Sequence, residues 1–234
     1  MSQPGLSPLD LSPAVGPDPG RLVTFEGADG AGKTTQRDRA VAWLRSSGLL
    51  GDRPLVVTRE PGGTALGQEV RRLLLSGDWA VADRAELLLY AADRAQHVAE
   101  VVQPALAVGA LVVSDRFVDS TVAYQGFGRG QDLALIETLN QIATAGLVSD
   151  LTLWFDASIA CCAARRQARS GPADRLEQSA IDFHERVREG FAQLAAREPD
   201  RIQRIDANGD ADATFAATQT VLRDRLAAWW PEGQ

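Results

Sequence analysis

The string Gly27-Ala28-Asp29-Gly30-Ala31-Gly32-Lys33-Thr34 constrains this chain more than any other stretch of its 234 residues. An apolar run, Leu22–Phe25, leads into it, and a helix-like pattern, Lys33–Ser47, leads out. The spacing G-x-x-x-x-G-K-[ST] between a strand and a helix describes a loop whose backbone N–H groups curl around a phosphate. Glycines permit the curl, the helix N-terminus adds positive potential, and a long-stemmed lysine reaches the β and γ phosphates. The Thr34 hydroxyl is placed to ligate Mg²⁺. Lys33 is the only lysine in the chain; all the others among its 24 Lys and Arg residues are arginine. A forked guanidinium suits so narrow a loop poorly, which gives one reason for the exception. Residues 27–34, with Thr35 beside them, are therefore expected to bind a nucleoside triphosphate with Mg²⁺.

The rest of the chain fits around that loop. Further short apolar runs are Leu55–Thr58, Leu111–Ser114, Leu151–Phe155 and Ile202–Ile205. Most are continuously apolar, as strands buried on both faces tend to be. Helical patterns lie between them at Ala65–Leu75, Asp83–Val108, Leu133–Ala145, Ser158–Arg169, Ser179–Arg197 and Ala211–Trp229. The residues after Ser114, as far as Gly126, fall in none of these helical patterns, and the small polar ones among them would also suit a turn after a strand. Alternation of this kind predicts an α/β fold, a mostly parallel sheet with helices on both faces, and ligands beyond the carboxyl ends of the strands. Residues 1–20 hold five prolines with Gly and Ser and no apolar period, so they are expected to be a flexible tail before a single domain at 21–234.

Composition removes several classes of function. A formal charge of −7 and a pI near 4.9 argue against broad binding to nucleic acid or to anionic membranes. No run of about 18 apolar residues is present, so no spanning helix is expected. The two cysteines, Cys161 and Cys162, are neighbours, and the two histidines, His97 and His184, are far apart in sequence. Neither an ordinary disulfide nor a zinc site follows from them. No basic segment followed by an apolar core opens the chain, which points to the reducing cytoplasm.

A phosphate-binding loop alone leaves GTPases, motors, partitioning ATPases and small-molecule kinases. A guanine-reading N-K-x-D motif is impossible with one lysine already used, and motors usually carry further nucleotide motifs. Three clusters are then informative: Thr58-Arg59-Glu60-Pro61-Gly62-Gly63-Thr64; Tyr90-Ala91-Ala92-Asp93-Arg94-Ala95-Gln96-His97; and Asp115-Arg116 with Ala123-Tyr124-Gln125-Gly126. A fourth stretch, Arg165 to Arg175, is rich in arginine. Arginines near a phosphate-binding loop suit an acceptor that carries its own phosphate. A kinase for another nucleotide or for a nucleoside, and an ATP-binding switch protein, remain alternatives on the residues alone.

In this order, behind such a loop, the clusters resemble the thymidylate kinase family from Arg21 to about Ala207. The resemblance implies a P-loop NTPase fold with a five-stranded parallel sheet, a homodimer, and γ-phosphoryl transfer from ATP to dTMP with Mg²⁺. It also implies roles residue by residue. Arg59 and Arg116 match arginines that hold the dTMP phosphate; Tyr90 matches an aromatic that stacks on thymine, where Phe is common. Arg94, one helical turn later, matches the arginine that bonds a thymine carbonyl. Thr121 and Gln125 align with polar residues near the base, and Tyr124 with the tyrosine that crowds the sugar 2′ position. Asp29 matches the carboxylate that engages the sugar 3′-hydroxyl, and Asp115 an acidic residue that binds Mg²⁺ or its waters.

Some family members carry a catalytic arginine directly after that Asp; here the position is Gly30. The resemblance then assigns it to a lid at about 165–177. Counting from the fourth strand places Arg169 at the catalytic position and Arg165 at one that contacts the nucleotide. Counting back from Asp174-Arg175 lands on Ser170, so this lid holds one residue more than the familiar pattern. Lys33, Arg169, Arg116 and Asp29 are the expected catalytic set.

Overall fold

A computed structural model describes residues 19–76, 80–168 and 180–231. Its five strands are β1 (Arg21–Glu26), β2 (Leu55–Arg59), β3 (Leu111–Asp115), β4 (Leu151–Asp156) and β5 (Ile202–Asp206). They form one parallel sheet in the order β2-β3-β1-β4-β5, which is the expected fold class. β1 is the middle strand, and the loop that leaves its end lies where the strand order turns outward on either side. Parallel α/β sheets hold ligands at such a point. Register puts the chemistry level: Phe25 pairs with Asp115, and Asp115 with Arg59, so three strand ends finish on one line.

Apolar clusters on both faces of the sheet fix the helices. Val23, Phe25, Leu153 and Phe155 pack with Val41, Leu44, Leu222 and Leu226, from α1 (Lys33–Ser46) and α9 (Ala211–Trp229). Leu22 and Val112 pack on the opposite face with Val98, Val102 and Phe117. Strand alternation explains the division, since neighbouring residues of β1 point to opposite faces. The other helices are α2 (Ala65–Leu75), α3 (Asp83–His97), α4 (Gln103–Ala107), α5 (Val118–Thr121), α6 (Leu133–Thr144), α7 (Ile159–Ala168) and α8 (Ile181–Arg197). Among the described residues, no helix is long and apolar enough to cross a membrane.

Two stretches differ from the sequence expectation. The helix expected over Asp83–Val108 is continuous only through a π-helical segment, Val98–Val102, where the Gln103 N–H reaches back five residues to Val98 O. Pro104 follows directly; its ring would crowd the carbonyl four residues earlier, and the wider turn relieves that clash. The second difference is larger. Val118–Thr121 is α-helical and Val122–Gly128 π-helical, with Arg129 N bonding Tyr124 O at 2.9 Å, so a segment that fell in none of the helical patterns is a helix. Its polar small residues hid the pattern, while Ala123 and Tyr124 pack onto α8 through Phe183 and Phe191.

Candidate active site

The loop after β1 closes on itself. Lys33 Nζ donates to Ala28 O at 2.8 Å, and α1 begins at Lys33 with left-handed Gly32 at its cap and no capping side chain. Its first N–H groups thus face the cleft lined by Gly30, Lys33, Thr34, Thr35, Arg165 and Arg166. Burial, and then the Arg116 charge, lower the Lys33 pKa against the pull of Asp29 and Asp115. Gly30 has φ +90°, and a Cβ there would lie 2.4 Å from Cys162 O. The backbone of α7 therefore occupies the space where an arginine stem at position 30 would start.

Helix α7 is tied to the loop from above. Arg165 donates to Ala31 O at 3.3 Å and to Gly209 O at 3.0 Å, and Arg166 donates to Asp29 O at 2.6 Å. Arg169, the expected catalytic lid residue, and most of the expected lid lie outside the described residues.

Thr34 Oγ1 donates to Asp115 Oδ2 at 3.0 Å, and Arg37 Nη1 donates to the same oxygen at 3.1 Å. A hydroxyl and a carboxylate side by side at the mouth of the loop are hard oxygen donors of the kind Mg²⁺ takes, and Mg²⁺ fills its remaining positions with water and phosphate oxygens. Among the described residues no cluster of three or more His, Cys, Asp or Glu offers a metal an all-protein cage.

A second cavity opens beside the first. It is lined by Tyr90, Arg94, Arg116, Thr121, Tyr124 and Gln125, and by Asp29, Glu60 and Arg71. Asp29 belongs to both cavities. Its carboxylate accepts from Arg116 Nη2 at 2.5 Å and from Tyr124 Oη at 2.8 Å. Burial pushes the Asp29 carboxyl up, but the Arg116 and Lys33 charges and these bonds outweigh it and hold it well below the usual carboxylate range. Arg116 stands at φ +73°, rare for a residue with a side chain and characteristic of sites where geometry is imposed by the surroundings. Here Arg116 N bonds Phe25 O at 3.1 Å, and Ser114 Oγ bonds Arg116 O at 2.7 Å.

Arg94 is the largest fully buried side chain of the described core. Its guanidinium donates to Glu60 Oε2 at 2.8 Å, Asn140 Oδ1 at 2.7 Å and Phe117 O at 3.0 Å. That leaves two of its five N–H donors for the cavity. Glu60 Oε1 lies 2.8 Å from His97 Nδ1, and His97 Nε2 lies 2.7 Å from Thr58 Oγ1. Asp93 bonds Gly62 N through Oδ1 at 3.0 Å, and its other oxygen is buried with no partner among the described residues. The Thr58–Thr64 and Tyr90–His97 clusters are therefore halves of one buried polar network.

Two residues depart from the expected arrangement. Arg59 is exposed and lies outside the cavity lining. Arg71, which no motif singled out, lines it and donates to Pro61 O at 3.0 Å. A helix-face count from Thr64 would have marked Arg71, about two turns later, as turned to the same face as Thr64. Gln125 spends its amide N–H on Glu86 at 2.8 Å.

The thymidylate kinase family profile matches residues 25–217. The chain belongs to the thymidylate kinase family. A relative named thymidylate kinase from Thermosynechococcus vestitus is 52% identical over 224 residues, covering 93% of this chain and 92% of its own. Another of that name, from Cyanothece sp., is 50% identical and covers 91% and 97%. The crystal structure of thymidylate kinase from Ehrlichia chaffeensis superposes with a TM-score of 0.71 at 34% identity, over 88% of this chain and all of that one. The same P-loop NTPase fold accommodates this thymidylate kinase family sequence, with its two cavities meeting at Asp29.

Proposed function

We propose that this chain phosphorylates dTMP to dTDP with ATP, by direct in-line transfer, in the service of dTTP synthesis. The observation that carries the reading is Asp29, shared by a phosphate-loop cleft and by an arginine-lined pocket, since a donor and an acceptor held there face each other. Phosphoryl transfer needs alignment and charge neutralisation more than covalent chemistry. No general base is required, because the acceptor is already a phosphate anion.

In this reading Gly27, Ala28, Asp29, Gly30, Ala31, Gly32, Lys33, Thr34, Thr35 and Arg165 hold ATP. Lys33 leaves the Ala28 carbonyl for the transferring phosphate. Thr34 and Asp115 hold Mg²⁺, which when bound would neutralise and orient the triphosphate. Arg116 and Arg71 grip the acceptor phosphate from facing walls, and Arg59 approaches it from outside the lining. Tyr90 offers a π face to the thymine and Arg94 its two spare donors, while Thr121 and Gln125 border the base. Tyr124, fixed on Asp29, crowds the sugar 2′ position, and Asp29 meets the 3′-hydroxyl. Arg169 enters on lid closure, with water excluded and ATP hydrolysis suppressed. The chain works as a cytoplasmic homodimer in a single domain at 21–234, with residues 1–20 outside it.

The test is product identification after incubation with ATP, Mg²⁺ and dTMP. Stoichiometric dTDP and ADP support the reading; ADP released as free phosphate accumulates, with dTMP unchanged, would refute it.

A further inference from the structure

Glu26 is the last residue of the central strand and is fully buried, although no motif drew attention to it. Alternation along β1 turns it to the face of Leu22 and Thr24, towards the segment after β3. Among the described residues no arginine or lysine pairs with it directly. Its carboxylate instead accepts from Phe117 N at 2.7 Å and Ser120 N at 3.3 Å through Oε1, and from Ser120 Oγ at 2.5 Å through Oε2. A buried charge held only by neutral donors is costly, so this arrangement calls for a reason beyond packing.

The reason lies in hydrogen-bond direction. Ser120 Oγ gives its single proton to Glu26, and so accepts from Arg116 Nη1 at 2.8 Å. The other arm of Arg116 reaches Asp29 and, at 3.1 Å, Tyr124 Oη. Every donor in the series Arg116, Ser120, Glu26 points inward to the acid. The same acid binds the N–H of Phe117, immediately after the positive-φ turn at Arg116. We propose that Glu26 is the positioning residue of Arg116, aiming the guanidinium through Ser120 and pinning the turn through Phe117. This inference rests on the reading of Arg116 as an arm for the acceptor phosphate.

An amide in place of the acid reverses the direction at one atom. With Glu26→Gln, an N–H can face Ser120 Oγ, which then meets donors from two sides while its own proton loses its acceptor. Protonation of Glu26 does the same. Burial, and then the charge of Asp119, push Glu26 up to about 7, against Arg116 and the bonds from Ser120 and Phe117. The charged groups around it are Arg116, Asp119 with its Arg201 partner, and Lys33 in the loop.

The experiment compares affinity for dTMP and for thymidine, which lacks the phosphate, in wild type, Glu26→Gln, Ser120→Ala and Arg116→Ala. Their ratio isolates the phosphate arm from the base pocket. Glu26→Gln is expected to lower the dTMP-to-thymidine ratio about tenfold, and Ser120→Ala about fivefold, with thymidine affinity held within twofold. The advantage of wild type over Glu26→Gln for dTMP should also shrink as pH falls from 8 to 6; the ionisation of the acceptor phosphate is common to both and cancels. If Arg116→Ala collapses the ratio but Glu26→Gln and Ser120→Ala leave it unchanged, the inference fails while the reading of Arg116 stands. Equal losses for thymidine and dTMP would mean a general structural role and overturn it. A ratio unmoved by Arg116→Ala would overturn both. Should Glu26→Gln fold poorly, Ser120→Ala leaves the acid in place and decides alone.

Discussion

Asp93 gives a stability prediction whose sign is unusual for a carboxylate. It is 1% exposed, binds Gly62 N with one oxygen and leaves the other buried and unpartnered among the described residues. Burial, and then the charge of Glu60, push it from 3.8 up to about 6, with the Gly62 bond and the His97 and Arg94 charges pulling the other way. A carboxyl whose folded pKa is raised favours the folded state at low pH and loses that contribution as pH rises through the folded value. The shift corresponds to about 3 kcal/mol in full, of which about 1.4 kcal/mol falls between pH 5.0 and 8.0. Asp93→Asn keeps the acceptor for Gly62 and removes the titration. The variant should therefore gain on wild type by about 1.4 kcal/mol over that interval, whatever their offset at pH 5.0. With a urea slope of about 2 kcal/mol/M, the variant's midpoint minus that of wild type rises by about 0.7 M. Equilibrium urea unfolding at the two pH values, with equal slopes for both chains, measures it. A signed difference that stays constant, or falls as pH rises, would refute the argument that Asp93 is held ionised at a cost.

Other consequences concern the reaction. Lys33→Ala should lower kcat by at least about 100-fold while dTMP affinity stays within about threefold, measured by steady-state kinetics and direct titration. Retained turnover would remove the loop from the chemistry. Arg169→Ala should reduce kcat by about 100-fold or more with little change in either KM; a larger kcat effect at Arg165 or Arg166 would assign the catalytic role to that residue instead. Asp115→Asn should raise the Mg²⁺ concentration for half-maximal rate about tenfold at fixed ATP, and an unchanged Mg²⁺ curve would place the metal elsewhere.

What the sequence disclosed, it disclosed through local pattern. The phosphate-binding loop is contiguous, its glycines and lysine act within eight residues, and the strand before it is a plain apolar run. Parallel strands buried on both faces leave equally plain runs, which is why the sheet was legible. The helix after Arg116 was not, because Ser120, Thr121 and Gln125 look like turn residues until α8 supplies the apolar surface they lack. Arg71 was missed because it lies in a run of helix residues that matches no motif, and only a count along the helix face from Thr64 singles it out. Arg59 sits in the most conspicuous motif, yet it is exposed and does not line the cavity. Glu26 and Asn140 were invisible for another reason: their partners are 94 and 46 residues away, and nothing in a linear pattern records such a pairing. Asp93 and His97 could be seen, but not what they do, since their network is closed by Glu60 from another strand end.

The central claim is that one pocket reads both a pyrimidine and a phosphate and presents them to ATP. Initial rates of ADP release, with products identified, across dTMP, dUMP, dCMP, dGMP, AMP and thymidine test it most directly. The account predicts the highest kcat/KM for dTMP, weaker turnover of dUMP at most, and none of thymidine. Phosphorylation of thymidine without dTMP would contradict it, leaving Arg116 and Arg71 without a phosphate to hold.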